Sequence, residues 1–125
     1  MRAIHTKYSR NSKGHYVPGM IHNDTLYISG QLSLDLDSGE IVEGGIAAET
    51  KRALENMEMV LKEADLTKKD IVMVRLYTSD VDNWDIINEE YSNYFGDHKP
   101  ARAVVPTREL HYGCLIEIEA VAAIK

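Results

Sequence analysis

Between Ile46 and Leu66 the chain takes up a hydrophobic period that its flanking segments do not share. Ala53, Met57, Val60 or Leu61, and Ala64 recur at helical spacing, while Lys51, Arg52, Glu55, Glu58 and Lys62 fall on the opposite side. At 3.6 residues per turn, this pattern predicts a helix with one apolar stripe that must be buried and one solvated stripe. Thr67-Lys68-Lys69-Asp70 follows as a cap-like turn. Ile71-Val72-Met73-Val74-Arg75-Leu76-Tyr77-Thr78, apolar and rich in β-branched residues, then predicts the most strongly specified strand. A one-faced helix beside such a strand needs a sheet to lie on.

The rest of the chain supplies that sheet. Ala3 to Tyr8 alternates weakly and predicts a first strand, and Gly14 to Gly19 reads as a loop. Thr25 to Gln31 predicts a strand broken at Gly30. Asp37-Ser38-Gly39-Glu40 is a turn between Leu32-Leu34-Leu36 and Ile41-Val42, which predicts a hairpin. Asp82 is the expected N-cap of a second helix whose face is marked by Trp84, Ile87, Tyr91 and Tyr94-Phe95. Gly96 ends that helix, Pro100 forbids its continuation, and strands near Ala101 to Pro106 and Leu115 to Ile124 close the chain. The expected architecture is α+β: one domain over residues 1–125, with two helices against one mixed sheet. Long apolar strands would leave a face or an edge uncovered in a monomer, which favours an oligomer.

Composition narrows the function. A net charge of −6 with no basic run longer than Lys68-Lys69 argues against nucleic acid as the main partner. Cys114 is the single cysteine, so an intrachain disulfide is impossible. The five histidines show no i,i+4 or His-x-His spacing, so no metal site is expected. No glycine-rich phosphate loop or Gly-x-Ser-x-Gly elbow points to a nucleotide cofactor or a serine nucleophile. The N-terminus lacks the apolar core of a signal peptide and no run has membrane-spanning length, which predicts a cytoplasmic protein with no membrane partner.

Two charges stand where the pattern predicts a core. Arg102 interrupts Pro100-Ala101-Arg102-Ala103-Val104, and Glu117 interrupts Leu115-Ile116-Glu117-Ile118-Glu119-Ala120-Val121. An ionised group in low dielectric costs several kcal/mol unless paired or solvated. Arg102 is therefore either a snorkelling edge residue or a bidentate clamp on a carboxylate. Glu117 and Glu119 share one face of a strand, and spacing does not say which of them is surface and which is site. Ser29-Gly30-Gln31 reads as a bulge or as a place where a ligand approaches the backbone. Tyr16 reads as a surface aromatic, Asn88 as a solvent-facing helix residue and Cys114 as a small core residue.

Taken in order, these pieces resemble the RidA family, also called YjgF. The likeness rests on Tyr16 in its loop, Tyr27-Ile28-Ser29-Gly30-Gln31, Ser38-Gly39-Glu40, and Thr50 through Asn56 to Leu61. It continues through Asp70-Ile71-Val72, Asn88-Glu89 with Tyr91 and Phe95, Pro100-Ala101-Arg102, and Glu117-Ile118-Glu119-Ala120, so that it spans the chain. The resemblance implies a chorismate-mutase-like fold assembled as a homotrimer with clefts between subunits. It also implies hydrolysis of enamine/imine intermediates such as 2-aminoacrylate and 2-aminocrotonate to 2-oxo acids and ammonia, without cofactor or metal. Carried onto this chain, Arg102 forks onto the substrate carboxylate with the Gly30 N–H, and Glu117 and the Val104 carbonyl hold the attacking water. Tyr16, Ser29 and Asn88 line the cleft.

This chain departs from the family pattern in several places. Ala103-Val104 replaces the usual Ser-Cys or similar pair, Leu110-His111 followed by Tyr112 replaces Leu-Pro, and Glu49 stands where Gln is common. The first loop reads Gly14-His15-Tyr16-Val17-Pro18 instead of Gly-Pro-Tyr-Ser-Gln. The alternative is a trimer that captures a small carboxylate without turning it over. A ribonuclease or translation inhibitor, an older reading for relatives, is disfavoured by the acidic balance and the lack of a basic, aromatic strip.

Overall fold

In the computed structural model, which describes residues 1–9 and 12–125, the amphipathic run forms helix α1 (Gly45–Glu63). Ala53, Leu54, Met57, Val60 and Leu61 are at most 1% exposed, so the apolar stripe is the face that is buried. The helix ends earlier than its period predicts. Asp65 takes a left-handed backbone (φ 57°), and the Leu66 N–H donates back to the Leu61 carbonyl at 2.9 Å. That closes the last turn, and Leu66 drops into the core instead of extending the helix.

The described strands are β1 (Arg2–Ile4), β2 (Gly19–His22), β3 (Thr25–Leu32), β4 (Ile71–Thr78), β5 (Ala101–Pro106) and β6 (Ile116–Ala123). They form one sheet in the order β1-β2-β3-β6-β4-β5. Only β4 and β5 are parallel, and helix α2 (Trp84–Phe95) carries the chain between them. The α+β reading therefore holds, with three local corrections. The first strand is three residues long, and β2 starts at the glycine where a loop was expected. A Cβ on Gly19 would meet Leu26 and Val60 at 3.0 Å, so this glycine serves close approach to α1 and not a turn. The expected hairpin shrinks to one bridge between Leu34 and Ile41, because the Asp35 carboxylate accepts from the Asp37 and Ser38 N–H groups and curls the segment. The N-cap before α2 is Asp80, whose side chain accepts from the Asp82 N–H and opens a short 3₁₀ turn.

Sheet alternation then divides the molecule. Val74, Leu76, Ile116, Ile118, Ala120 and Ala122 point to the helices and are buried. Arg75, Tyr77, Glu117, Glu119 and Val121 alternate with them and point to the other face. Among the described residues, no helix covers that face, where Tyr27 and Val72 are about half exposed. No helix among the described residues is long and apolar enough to cross a membrane.

Two buried polar side chains of α1 fix the part of the sheet that matters below. Asn56 donates from Nδ2 to the Leu32 and Leu34 carbonyls, both at 2.9 Å. Glu49 accepts on Oε1 from the Ser33 hydroxyl at 2.7 Å and the Leu115 N–H at 2.9 Å. Together they tie the end of β3 and the start of β6 to one helix. Asn56→Ala leaves two carbonyls without a donor and should lower unfolding free energy by about 1–3 kcal/mol. Urea unfolding checks this; an unchanged midpoint would show that water replaces the amide.

Candidate functional site

The residues singled out in the sequence separate into two groups on opposite faces of the sheet. Arg102 lies on β5, in register with Val74 of β4 and, across β4, with Ala120 of β6. These neighbours point to the helices, and Arg102 does too. Its Nη1 donates to Asn88 Oδ1 at 2.9 Å, and its guanidinium lies 4.8 Å from the Tyr91 ring centre and 5.5 Å from that of Trp84. Trp84, Asn88 and Tyr91 are spaced i, i+4, i+7, which puts them on one side of α2. An arginine held by one amide and two aromatic faces has lost much of its rotamer freedom before any ligand arrives. Its remaining N–H donors have no protein partner among the described residues. Burial pushes the Tyr91 hydroxyl up to about 12, so the ring stays neutral beside the cation. Asn88 is therefore no solvent-facing residue. Val104, two positions on, packs its side chain on the core, so any polar role falls to its backbone.

The second group lies on the uncovered face. Tyr16, Ser29, Gly30 and Glu117 line one cleft of about 1290 Å³. Ser29 and Gly30 sit where the β3–β6 register shifts between Ile28 and Gln31, so the glycine marks a bulge and also lines the cleft. The Ser29 hydroxyl donates to the Val17 carbonyl at 2.6 Å, leaving its oxygen to accept from a ligand. A Cβ on Gly30 would come within 3.0 Å of Glu117 Cδ and Oε2, so only glycine leaves the carboxylate its present place. Tyr16 is 62% exposed and forms part of the rim.

The structure also separates the two glutamates that share this face. Glu119 accepts from the Tyr77 hydroxyl at 2.8 Å and pairs with Arg75 at 3.5 Å. Glu117 has no ion-pair partner among the described residues. Burial, then the Glu119 charge, raise its carboxyl above the ordinary 4.5, while His111 pulls it back. A less stable carboxylate is a better proton acceptor, which distinguishes Glu117 from the hydrogen-bonded and ion-paired Glu119. Cys114 is buried, as a core residue should be. Sequence reading missed the aromatic cage of Arg102, although the i, i+4, i+7 spacing of Trp84, Asn88 and Tyr91 could have revealed it. It also missed the Tyr77–Glu119 bond, which depends on strand order and leaves no mark in local sequence.

The raised Glu117 pKa makes a stability prediction. The folded state binds this proton more tightly than the unfolded chain, so the group costs stability increasingly as pH rises through and above 4.5. Glu117→Gln should therefore melt above wild type at pH 7, with the advantage vanishing below pH 4.5. Melting curves at the two pH values decide it; a lower midpoint at pH 7 would show that the carboxylate contributes to stability.

Comparison with known proteins covers nearly the whole chain. The family described as Endoribonuclease L-PSP matches residues 6–124. The human 2-iminobutanoate/2-iminopropanoate deaminase is 39% identical over 97% of this chain and 88% of its own length. A RutC family protein of Pyrococcus abyssi is 38% identical over 95% of this chain and 94% of its own. Among solved structures, Escherichia coli TdcF with bound serine superposes with a TM-score of 0.92 at 27% identity, covering 100% of both chains. A match over nearly the whole length, with Arg102 caged and Glu117 freed on the fold those relatives share, means that this chain belongs to the RidA (YjgF) family, the Endoribonuclease L-PSP family of sequence classification.

Proposed function

We propose that this protein hydrolyses reactive enamine/imine intermediates, such as 2-aminoacrylate and 2-aminocrotonate, to 2-oxo acids and ammonia. The sites are clefts between subunits of a homotrimer. The single observation that carries the reading is the caged Arg102, a guanidinium set for a carboxylate and left with free donors. The deaminase names of relatives at this identity point the same way.

The sheet supports a shared site. Arg102 faces the helices and Glu117 faces away, so one chain cannot bring both to one small molecule. The cleft beside Glu117 is also far larger than a four-carbon acid and opens to the surface. A second copy presenting its β5 edge to this face supplies both a wall and the arginine.

The chemistry then runs as follows. Arg102 and the Gly30 N–H hold the substrate carboxylate. The enamine gains a proton from solvent at its β-carbon and becomes an iminium ion, whose N–H donates to Ser29 Oγ. Water held by Glu117 and the Val104 carbonyl attacks the iminium carbon, and Glu117 takes the water proton. The resulting carbinolamine expels ammonia as its C–N bond breaks, and the oxygen keeps the carbon as a carbonyl. Because such imines hydrolyse unaided, orientation and one positioned base supply enough acceleration. A nuclease reading fits poorly, since the net charge is −6 and the key arginine is folded against a helix. Serine bound to TdcF supports the plainer alternative, capture of a small amino acid without turnover.

Generating 2-aminocrotonate with a threonine dehydratase and following 2-oxobutyrate release separates the two. Wild type should accelerate release, and Arg102→Ala should lose about 100-fold or more. No acceleration by wild type leaves carboxylate capture as the function. Gly30→Ala should lose at least tenfold by displacing Glu117, with the fold intact by circular dichroism. Arg102→Ala and Glu117→Ala, each inactive alone, should regain activity when refolded together, because mixed trimers contain one intact site. If mixtures stay inactive, the shared site is wrong.

A further inference from the structure

His111 lies in the same cleft as Glu117, at a place where the chain bends in an unusual way. It opens a short 3₁₀ turn, His111–Gly113, just before β6, and its imidazole lies against the Tyr112 ring with centroids 3.8 Å apart and the planes tilted by 53°. Tyr112 holds a left-handed backbone (φ 60°, ψ 10°), a conformation that glycine or asparagine would adopt at lower cost. Its ring is 64% exposed, so burial in this chain does not offset the strain. Strain of about 1–3 kcal/mol on an exposed aromatic is the kind of distortion found where a site is being shaped. What the distortion achieves here is to bring the Tyr112 ring against His111, and both line the cleft together with Gly30 and Glu117. The charge of His111 is felt there, since it opposes the upward push on the Glu117 carboxyl.

We propose that His111 is the proton donor of this site, delivering to the departing amine the proton that a carboxylate base cannot supply. The proposal rests on the hydrolase reading above and adds the second half of its proton transfers. After water adds, the carbinolamine carries a neutral amino group and a hydroxyl. Imidazolium gives its proton to that nitrogen, the C–N bond breaks with its electron pair going to nitrogen, and ammonia leaves. The carbinolamine hydroxyl becomes the carbonyl, and its proton returns to the neutral imidazole. Glu117, protonated by the attacking water, releases its proton to solvent. The two groups thus work in opposite protonation states, the carboxylate charged before attack and the imidazole charged before expulsion. The other groups facing this space are Glu119 of β6, Tyr77 of β4, and Tyr8, Lys13 and Tyr16 from the segment before β2. Glu119 is bonded to Tyr77 and Arg75, and the bond to Glu119 pushes the Tyr77 hydroxyl up. Imidazole is the side chain that changes charge most readily near neutral pH, and His111 is the one imidazole among the described residues lining the cleft.

The test is the pH dependence of kcat/KM for wild type and His111→Asn, with 2-aminocrotonate made in situ and the buffer rate subtracted. Protonation of the imine itself contributes an alkaline limb common to both proteins, so the difference between them is what counts. Wild type should fall on the alkaline side through the histidine range, whereas His111→Asn should lose that added limb and drop tenfold to a hundredfold at pH 6.5–7. Free imidazole should restore part of the loss. His111 is exposed, so the variant should fold, and an unchanged melting temperature confirms it. Tyr112→Gly, which relieves the strain and removes the ring contact, should lower the rate but keep the limb. Acceleration by wild type with an identical profile in His111→Asn overturns the proposal and leaves the hydrolase reading intact. A reduced rate with the limb retained and no rescue by imidazole also overturns it, assigning His111 a shape-keeping role. No acceleration by wild type overturns both.

Discussion

β6 is the strand on which the arrangement depends. It lies between β3 and β4, so its alternation sets the orientation of both neighbours. Ile116, Ile118, Ala120 and Ala122 fill the space under the helices, and this burial pins the register, because a slip of one residue would drive two glutamates into the core. The same pinning puts Glu117 and Glu119 on the uncovered face without any dedicated interaction to orient them. Chemistry on that face is a by-product of packing on the other.

Within that frame, neighbours distinguish two residues that the sequence treats alike. Glu119 meets Tyr77 and Arg75 across the β4–β6 ladder and is satisfied there. Glu117 is in register with Tyr77 on one side and Leu32 on the other, and it leans over Gly30, where the bulge removes a side chain. One carboxylate is stabilised and the other is left dear to ionise. The second is the one suited to taking a proton from water. Glu49 reinforces this from behind. Both its partners are donors, the Ser33 hydroxyl and the Leu115 N–H, so the carboxylate makes the contacts that the carbonyl of the family's usual glutamine would make.

How much of this could be read in the sequence follows from the range of each interaction. α1, β4 and the end of α2 at Gly96 were legible because period, β-branching and a chain-terminating glycine are local. β2 escaped because four residues are too few to show a period and its first is a glycine. The Asp80 cap was displaced by two residues because a 3₁₀ turn precedes the helix, and aspartates at 80 and 82 look alike from outside. At the site, the residue types of Arg102 and Glu117 announced themselves as charges in apolar strands. Their faces did not. Strand order places β4 between them, and only that order shows that the two side chains diverge.

That divergence constrains assembly as much as catalysis. The uncovered face mixes apolar side chains, Tyr27, Val72 and Val121, with the charges of Arg75, Glu117 and Glu119. In the proposed trimer, a neighbour covering this face would dry Glu117 further, raising its proton affinity in the direction burial already takes it. The same approach would bring Arg102 out of water with its donors unpaired, which is costly unless an anion meets them. A substrate carboxylate relieves that cost at the moment it binds. Under the proposed assembly, small carboxylates are selected by the electrostatics of an interface, with Arg102 contributed by one chain and Glu117 by its neighbour.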